Sequence, residues 1–305
     1  MRIAVLNDSS TPVGGTGSYL RAVIPALTHR GHPVCFWSAH GGRPNGDPIH
    51  LPADSPSWSV EEAGLEGALA SLQNWSPDVI LSQGFQNPEV EARSLRVARA
   101  VFVAQSYYGT CISGAKTFRL PTTTPCARTF GWPCLVHYFP RRCGGRSPVT
   151  MAREFRRQSA RFTLLSQYQA IVTMSAHMQQ EYARHGLKAT CVMGALEPGQ
   201  DSAPVNNRDR NISQVCHLLF VGRMDELKGG RYLLDALPRV LKTLGRTLVV
   251  TFVGDACVAT KASVRVRVLQ TCRDGVSEPV CCRSTNQALR RWQHGKTPPV
   301  HRSSS

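Results

Sequence analysis

Short apolar runs at residues 3–6, 34–37, 79–81, 101–104, 171–174 and 191–193 are separated by stretches long enough to hold a helix. Strands buried on both faces read as such unbroken runs, and their alternation with helix-length segments is the pattern of a parallel α/β sheet. Between the first two runs, Leu20, Val23, Ile24 and Leu27 recur at the i, i+3, i+4, i+7 spacing of one helix face, and Gly31 can close that helix. The chain therefore opens with a βαβ unit.

A second helix is predicted from about residue 150 to 168, with Met151, Phe155, Phe162 and Leu165 on its apolar side. Arg153, Arg156, Arg157 and Arg161 form a basic face on it, with Arg146 just upstream. Residues 197–214 lack apolar periodicity and are rich in Asp, Asn, Pro and Arg, as linkers between domains are. The first domain is thus expected to span 1–196, and a second to begin at 215.

After the linker the pattern restarts with a strand at 218–221, a helix at about 230–244 and a strand at 248–253. Leu233, Leu234, Leu237, Val240 and Leu241 give that helix its apolar side, and Pro238 is expected to kink it. The second domain is read as 215–255, the opening of a domain that needs further βα units. Residues 256–305 follow neither period for long and hold nine Lys or Arg against two Asp or Glu. They are read as an unpatterned basic tail, foreign to the fold, that supplies +7 of the net +16.

With 305 residues, 42% of them hydrophobic, the chain can bury a real core. No run approaches the roughly 20 apolar residues of a membrane span, so membrane contact is expected to be peripheral. The first apolar run is interrupted by Asn7 and Asp8 and does not read as an export signal. The expected location is cytoplasmic, at most at the inner membrane face, where the 11 cysteines are thiols or ligands rather than disulfides. The positive charge calls for phosphate-bearing partners. Nucleic acid is not expected among them, because no helix-turn-helix, RRM or zinc-finger pattern is present.

The loop Gly14-Gly15-Thr16-Gly17-Ser18 lies between the first strand and the first helix. Backbone N–H groups at a helix start favour an anion, and glycines also serve a tight turn, so the loop fits either role. It departs from G-x-G-x-x-G because Leu20 stands at the third glycine position. A second near-match, Gly109 to Thr117, has one residue too many before Lys116 for a P-loop and leads into Phe-Arg-Leu-Pro instead of a helix. The stronger signal is Gly222-Arg223 followed by Lys228-Gly229-Gly230, a strand end with two cations five residues apart that can converge on one anion.

Together the glycine loop and the Gly-Arg-x4-Lys-Gly turn resemble the family 4 retaining glycosyltransferases, over about residues 1–255. The resemblance implies a GT-B type α/β fold: a complete N-terminal Rossmann-like domain on the acceptor side, and a donor-binding Rossmann-like domain incomplete here. Arg223 and Lys228 would hold the donor diphosphate and stabilise the charge on the leaving group, with Gly222 beside them. Gly14, Gly15 and Gly17 would approach donor or acceptor from the first domain, and Gln105 and Ser175 are acceptor-side candidates. The substrates implied are a nucleotide-sugar donor and a glycan, lipid or small-molecule acceptor, with no cofactor and no catalytic metal.

Two departures stand out. Many members carry a histidine where this chain has Gln105, and the donor-binding E-x7-E motif is missing, since the only acids after Asp255 are Asp274 and Glu278. The alternative expectation is accordingly a chain without turnover that binds acceptor or membrane.

An insert at about 109–146 holds Cys111, Cys126, Cys134 and Cys143, with His137 among them. None of the gaps is the C-x2-C of a zinc hairpin, so structural thiols are expected and a metal is not. Arg141, Arg142 and Arg146 extend the basic strip towards a possible anionic membrane surface.

Overall fold

The computed structural model describes residues 1–12, 14–42, 48–192, 215–222, 228–244, 247–253 and 265–269. The chain divides into two compact units, Met1–Asp201 and Ser202–Ser305.

The first unit runs β1 (Ile3–Ser9), α1 (Gly15–His29), β2 (Val34–His40), β3 (Ser57–Ser59), α2 (Val60–Trp75), β4 (Val79–Ser82), α3 (Pro88–Ser94) and β5 (Ala100–Ala104). The insert follows with β6 (Thr117–Phe118), β7 (Thr124–Pro125) and α4 (Pro133–Tyr138), then α5 (Pro148–Leu165), β8 (Ala170–Thr173), α6 (Ala176–Ala183) and β9 (Ala189–Cys191). Seven strands form one sheet in the order β3-β2-β1-β4-β5-β8-β9, and every pair in it is parallel. The α/β class read from the apolar runs is the class observed.

The period of two in β1 shows why its run is unbroken. Ile3 and Val5 pack on one face with Leu20 and Ile24 of α1, while Ala4 and Leu6 pack on the other with Ala68, Leu69 and Leu72 of α2. From β1 the chain moves outward to β2 and β3, then returns to the other side of β1 as β4. The β1/β4 junction is therefore a switch point, where two connections leave the strand ends in opposite directions and open a crevice.

The sequence reading passes over β3, α2, α3 and α6. In α2 the glycines Gly64 and Gly67 blur the apolar stripe, and Gly64 is non-helical at φ 70°. Its start is nonetheless marked by Ser59, whose hydroxyl accepts from the Glu61 N–H at 3.2 Å.

One expectation for α5 needs correction. Arg161 does not belong to the exposed basic face: it is 7% exposed, its guanidinium donates to the Phe85 carbonyl at 2.6 Å, and it lies 4.2 Å from the Tyr108 ring. The helix turns Arg161 to the side of buried Gln158, Leu164 and Leu165, where a planar cation can stack on a ring. Arg153 and Arg156 remain exposed.

The second unit holds β10 (Val215–Val221), α7 (Gly230–Leu244), β11 (Thr247–Val253) and β12 (Arg265–Leu269), with its three strands parallel in that order. Leu233, Leu234, Leu237 and Leu241 of α7 pack with Leu248, Val250 and Phe252 of β11. Within 256–305, which follows no period for long, the brief Arg-Val alternation of β12 has the period of a strand and pairs with β11 from Val249 to Val253. The linker 197–214 and the rest of the tail lie outside the described residues.

Among the described residues no helix is long and apolar enough to cross a membrane.

Candidate functional site

The crevice at the β1/β4 junction is bordered by the loop that enters α1. Gly14 is the N-cap of α1 at φ 69° and ψ −145°, a conformation open to glycine, and its carbonyl accepts from the Ser18 N–H at 3.1 Å. Gly17 is required for packing: a Cβ there would stand 2.4 Å from the Pro12 carbonyl oxygen. Gly15 has neither constraint, for its φ is not positive and a Cβ would meet nothing within 4 Å. No side chain caps α1 and no acid sits in its first turn, so the positive end of the helix is not neutralised locally.

At the ends of β4 and β5 two amides face each other, with Gln105 Nε2 donating to Gln83 Oε1 at 3.0 Å. Gln83 is anchored to β1 through its backbone N–H on the Leu6 carbonyl at 2.9 Å. Its own Nε2 is buried and has no hydrogen-bond partner among the described residues. Gln83 was not visible as a site residue in the sequence, because nothing in the local pattern distinguishes it; its place beside Gln105 comes from strand order alone.

Ser175, also at a strand end, caps α6 by accepting from the Met178 N–H at 3.2 Å. Its capping role is thereby explained, and the hydroxyl proton remains free to donate. His177, in the first turn of α6, meets Tyr107 edge-on at 6.4 Å between ring centroids. That places an imidazole against Tyr107, itself two residues along the chain from Gln105, and on a different element from the strand end where the family resemblance implies a histidine.

A buried network holds the chain after β5 in place. Glu91 of α3 is fully buried and accepts from the hydroxyls of both Tyr108 and Tyr168, while Tyr168 also meets Ser82 Oγ at 3.1 Å. Burial raises the Glu91 carboxyl above the usual range, against the opposing pull of the two tyrosines and of Arg161. Burial likewise raises the hydroxyls of Tyr108 and Tyr168, so they stay protonated and donate. The Lys116 residue of the rejected P-loop pattern is 5% exposed and pairs with Glu181 at 2.8 Å, also donating to the Arg128 carbonyl. It is a tie between the insert and α6, turned away from any phosphate role.

The insert cysteines Cys111, Cys126, Cys134 and Cys143 are free thiols, as is Cys35. Cys143 and Cys134 belong to one small apolar cluster with Ile112, Tyr138 and Phe118. Cys111 Sγ accepts from the Lys116 N–H at 3.4 Å, and the Cys126 N–H donates to the Lys116 carbonyl at 2.7 Å. Burial raises the Cys134 thiol and pushes Cys143 up to about 11. Among the described residues no group of three or more His, Cys, Asp or Glu could hold a metal ion.

In the second unit, β10 ends at Gly222, whose φ of 147° is a glycine conformation. A Cβ on Gly222 would lie 4.0 Å from the Lys228 Cβ, so the strand end and the residues entering α7 converge. Lys228 is exposed, two residues ahead of α7. Arg223 lies outside the described residues. A strand end, a glycine turn and a helix start carrying a cation form an arrangement suited to an anion.

No family model matches the sequence, and no curated protein matches it. Solved structures with a similar layout include a lipopolysaccharide outer core galactosyltransferase WaaB in its apo form, with 12% identity and a TM-score of 0.43, over 84% of this chain and 61% of that one. A glycosyltransferase from Rickettsia africae has 11% identity and a TM-score of 0.45, over 83% of this chain and 60% of that one. Spinosyn forosaminyltransferase SpnP has 14% identity and a TM-score of 0.43, over 88% and 69%. The chain thus spans about three fifths of the length of the first two.

Proposed function

We propose that this chain belongs to a glycosyltransferase that moves a hexose from a nucleotide sugar to a hydroxyl of a glycan, lipid or small molecule, with retention of configuration. The observation that carries this reading is the β10–α7 junction, where Lys228 stands beside the Gly222 turn at the C-terminal end of a parallel strand. Breaking the sugar–phosphate bond builds negative charge on the departing diphosphate, and cations held at a helix start stabilise that charge without a metal. The motif resemblance supplies Arg223 as the second cation, and Gly14, Gly15 and Gly17 as the loop that meets the substrates from the first unit. Gln83, Gln105, Ser175 and His177 are the groups available to an acceptor hydroxyl.

Gln105 cannot exchange a proton near neutral pH, so it would orient a hydroxyl and not deprotonate it.

A second reading, a chain that binds acceptor but does not turn over, is favoured by Gln105, which stands where the family resemblance implies a histidine and cannot take that proton.

Calorimetry of the full chain against UDP-, GDP- and ADP-sugars separates the two readings. Saturable binding of one donor, lost on Lys228→Ala, supports transfer. No binding to any of them supports the second reading.

A further inference from the structure

The insert presents a surface that neither the donor nor the acceptor reading uses. Its helix α4 has two sides. Tyr138 is 2% exposed and packs inward with Cys134 and Leu135, whereas Trp132, Val136 and Phe139 are 72%, 57% and 40% exposed. The outward three follow the i, i+4, i+7 spacing, and Trp132 and Phe139 at the two ends keep helical dihedrals, so they line one side. Leu120, 37% exposed, is brought alongside by hydrogen bonds from the Arg119 and Leu120 N–H groups to the Arg141 carbonyl at 2.9 and 3.2 Å. The Arg142 N–H in turn donates to the Phe139 carbonyl at 3.1 Å. The apolar side and the arginine pair are therefore neighbours.

Charge follows the same boundary. Between Glu91 and Glu154 the sequence contains no Asp or Glu. The one lysine of the insert, Lys116, is turned inward to Glu181, while Arg119, Arg128, Arg141, Arg142 and Arg146 are exposed. Exposed aromatic and aliphatic side chains beside arginines with no ion pair among the described residues combine two needs: apolar surface to be buried and phosphate to be met.

We propose that this side of the insert docks peripherally on an anionic lipid bilayer. Trp132, Val136 and Phe139 enter the boundary between headgroups and acyl chains, and Arg141, Arg142 and their neighbours meet the lipid phosphates. Aromatic rings at headgroup depth beside arginines are the usual composition of such a boundary. A nucleic-acid surface would pair cations with stacking rings and has no use for Val136 and Leu120. A protein partner would favour a centre depleted of charge. This inference stands apart from the glycosyl-transfer reading and survives its failure.

The test is flotation of the full chain with vesicles of phosphatidylcholine alone, and with vesicles containing phosphatidylglycerol. The expected result is binding to the anionic vesicles only, weakened at least about tenfold both by Trp132→Ser/Val136→Ser/Phe139→Ser and by Arg141→Glu/Arg142→Glu. Circular dichroism checks that each variant is folded; if the triple variant is not, Val136→Ser alone and Trp132→Phe carry the test. Acyl-chain bromolipids should quench the native chain's fluorescence, and Trp132→Phe should lose most of that quenching.

Because the basic segment 256–305 is unchanged in every variant, undiminished binding by the apolar variants would overturn the proposal in favour of charge alone. Absence of bromolipid quenching would overturn it too. Tighter binding of a short single-stranded DNA through Trp132 and Arg141 would overturn it in favour of nucleic acid.

Discussion

The Lys116 ammonium lies 2.8 Å from Glu181, with the two side chains 5% and 3% exposed. This pair joins the insert to α6 across 65 residues of sequence, and Arg184 closes on the other oxygen of the same carboxylate. Burial by itself would raise the Glu181 carboxyl, but the hydrogen bond and charge of Lys116, then Arg184, outweigh it and hold the group below its ordinary range. A group so depressed contributes stability above its unfolded value, and that contribution is lost as pH falls through the folded one. Glu181→Ala leaves Lys116 buried without its countercharge and is expected to cost about 3–5 kcal/mol. Lys116→Ala should cost less, because Arg184 remains. Urea denaturation of the two variants, with equal losses, would show that Arg184 does not compensate.

Tyr168→Phe is expected to destabilise the first unit by about 1–3 kcal/mol, since it deprives buried Glu91 of one of its two tyrosine donors and removes the contact with the Ser82 hydroxyl. Thermal melts followed by circular dichroism check the value. A neutral substitution would mean that water fills the place of the hydroxyl.

His185 reports on pH. Its Nε2 accepts from the Phe130 N–H at 2.8 Å and its Nδ1 meets the Glu181 carbonyl at 2.6 Å, so the ring is neutral with the proton on Nδ1. Burial lowers its affinity for a proton below the ordinary value of 6.5, and Lys116 and Arg184 lower it further against the pull of Glu181. A base depressed in this way contributes stability above the unfolded value, and loses it as pH falls below 6.5 towards the folded one. Stability should therefore decline over that window, and His185→Gln should flatten the slope. An unchanged slope in the variant would assign the decline to other groups.

Gly15 and Gly17 should separate binding from folding. Gly17→Ala places a methyl 2.4 Å from the Pro12 carbonyl and is expected to cost about 1–3 kcal/mol. Gly15→Ala meets no atom of the chain and should leave stability unchanged or slightly improved. If the open space over Gly15 receives a substrate, the same methyl should weaken donor or acceptor binding about tenfold, the equivalent of 1.4 kcal/mol. Calorimetry that finds full affinity in a stable Gly15→Ala variant would remove this loop from the site.

For the second unit, Arg223→Ala and Lys228→Ala are each expected to lower turnover by roughly 10²-fold or more while leaving the protein folded, as loss of one oxyanion donor does. The measurement is initial-rate kinetics with the donor identified by calorimetry. Loss of donor affinity with unchanged kcat would mean that the cations grip the ground state as tightly as the transition state.

The sequence by itself determined the α/β class, the first βαβ unit, α5 and α7. These elements carry their own signal, because unbroken apolar runs and the i, i+4 stripe are local consequences of burial on two faces or on one. Gly14, Gly17 and Gly222 were legible as glycines between strand and helix, where turns need them, and the geometry then distinguished the φ demanded at Gly14 and Gly222 from the close approach at Gly17.

Only the tertiary structure decided which charged groups are buried and which faces are left open. Arg161 and Arg153 are indistinguishable in the helical pattern, yet one lies on the Tyr108 ring and the other in solvent, because α5 packs beside Glu91 of α3. Lys116 read as part of a failed phosphate loop until α6 supplied Glu181. Gln83 became a candidate only when strand order set β4 beside β5, and Trp132, Val136 and Phe139 only when Tyr138 took the inward side of α4. Each of these pairings joins residues distant in sequence, and a local period carries no information about the partner that folding brings to it.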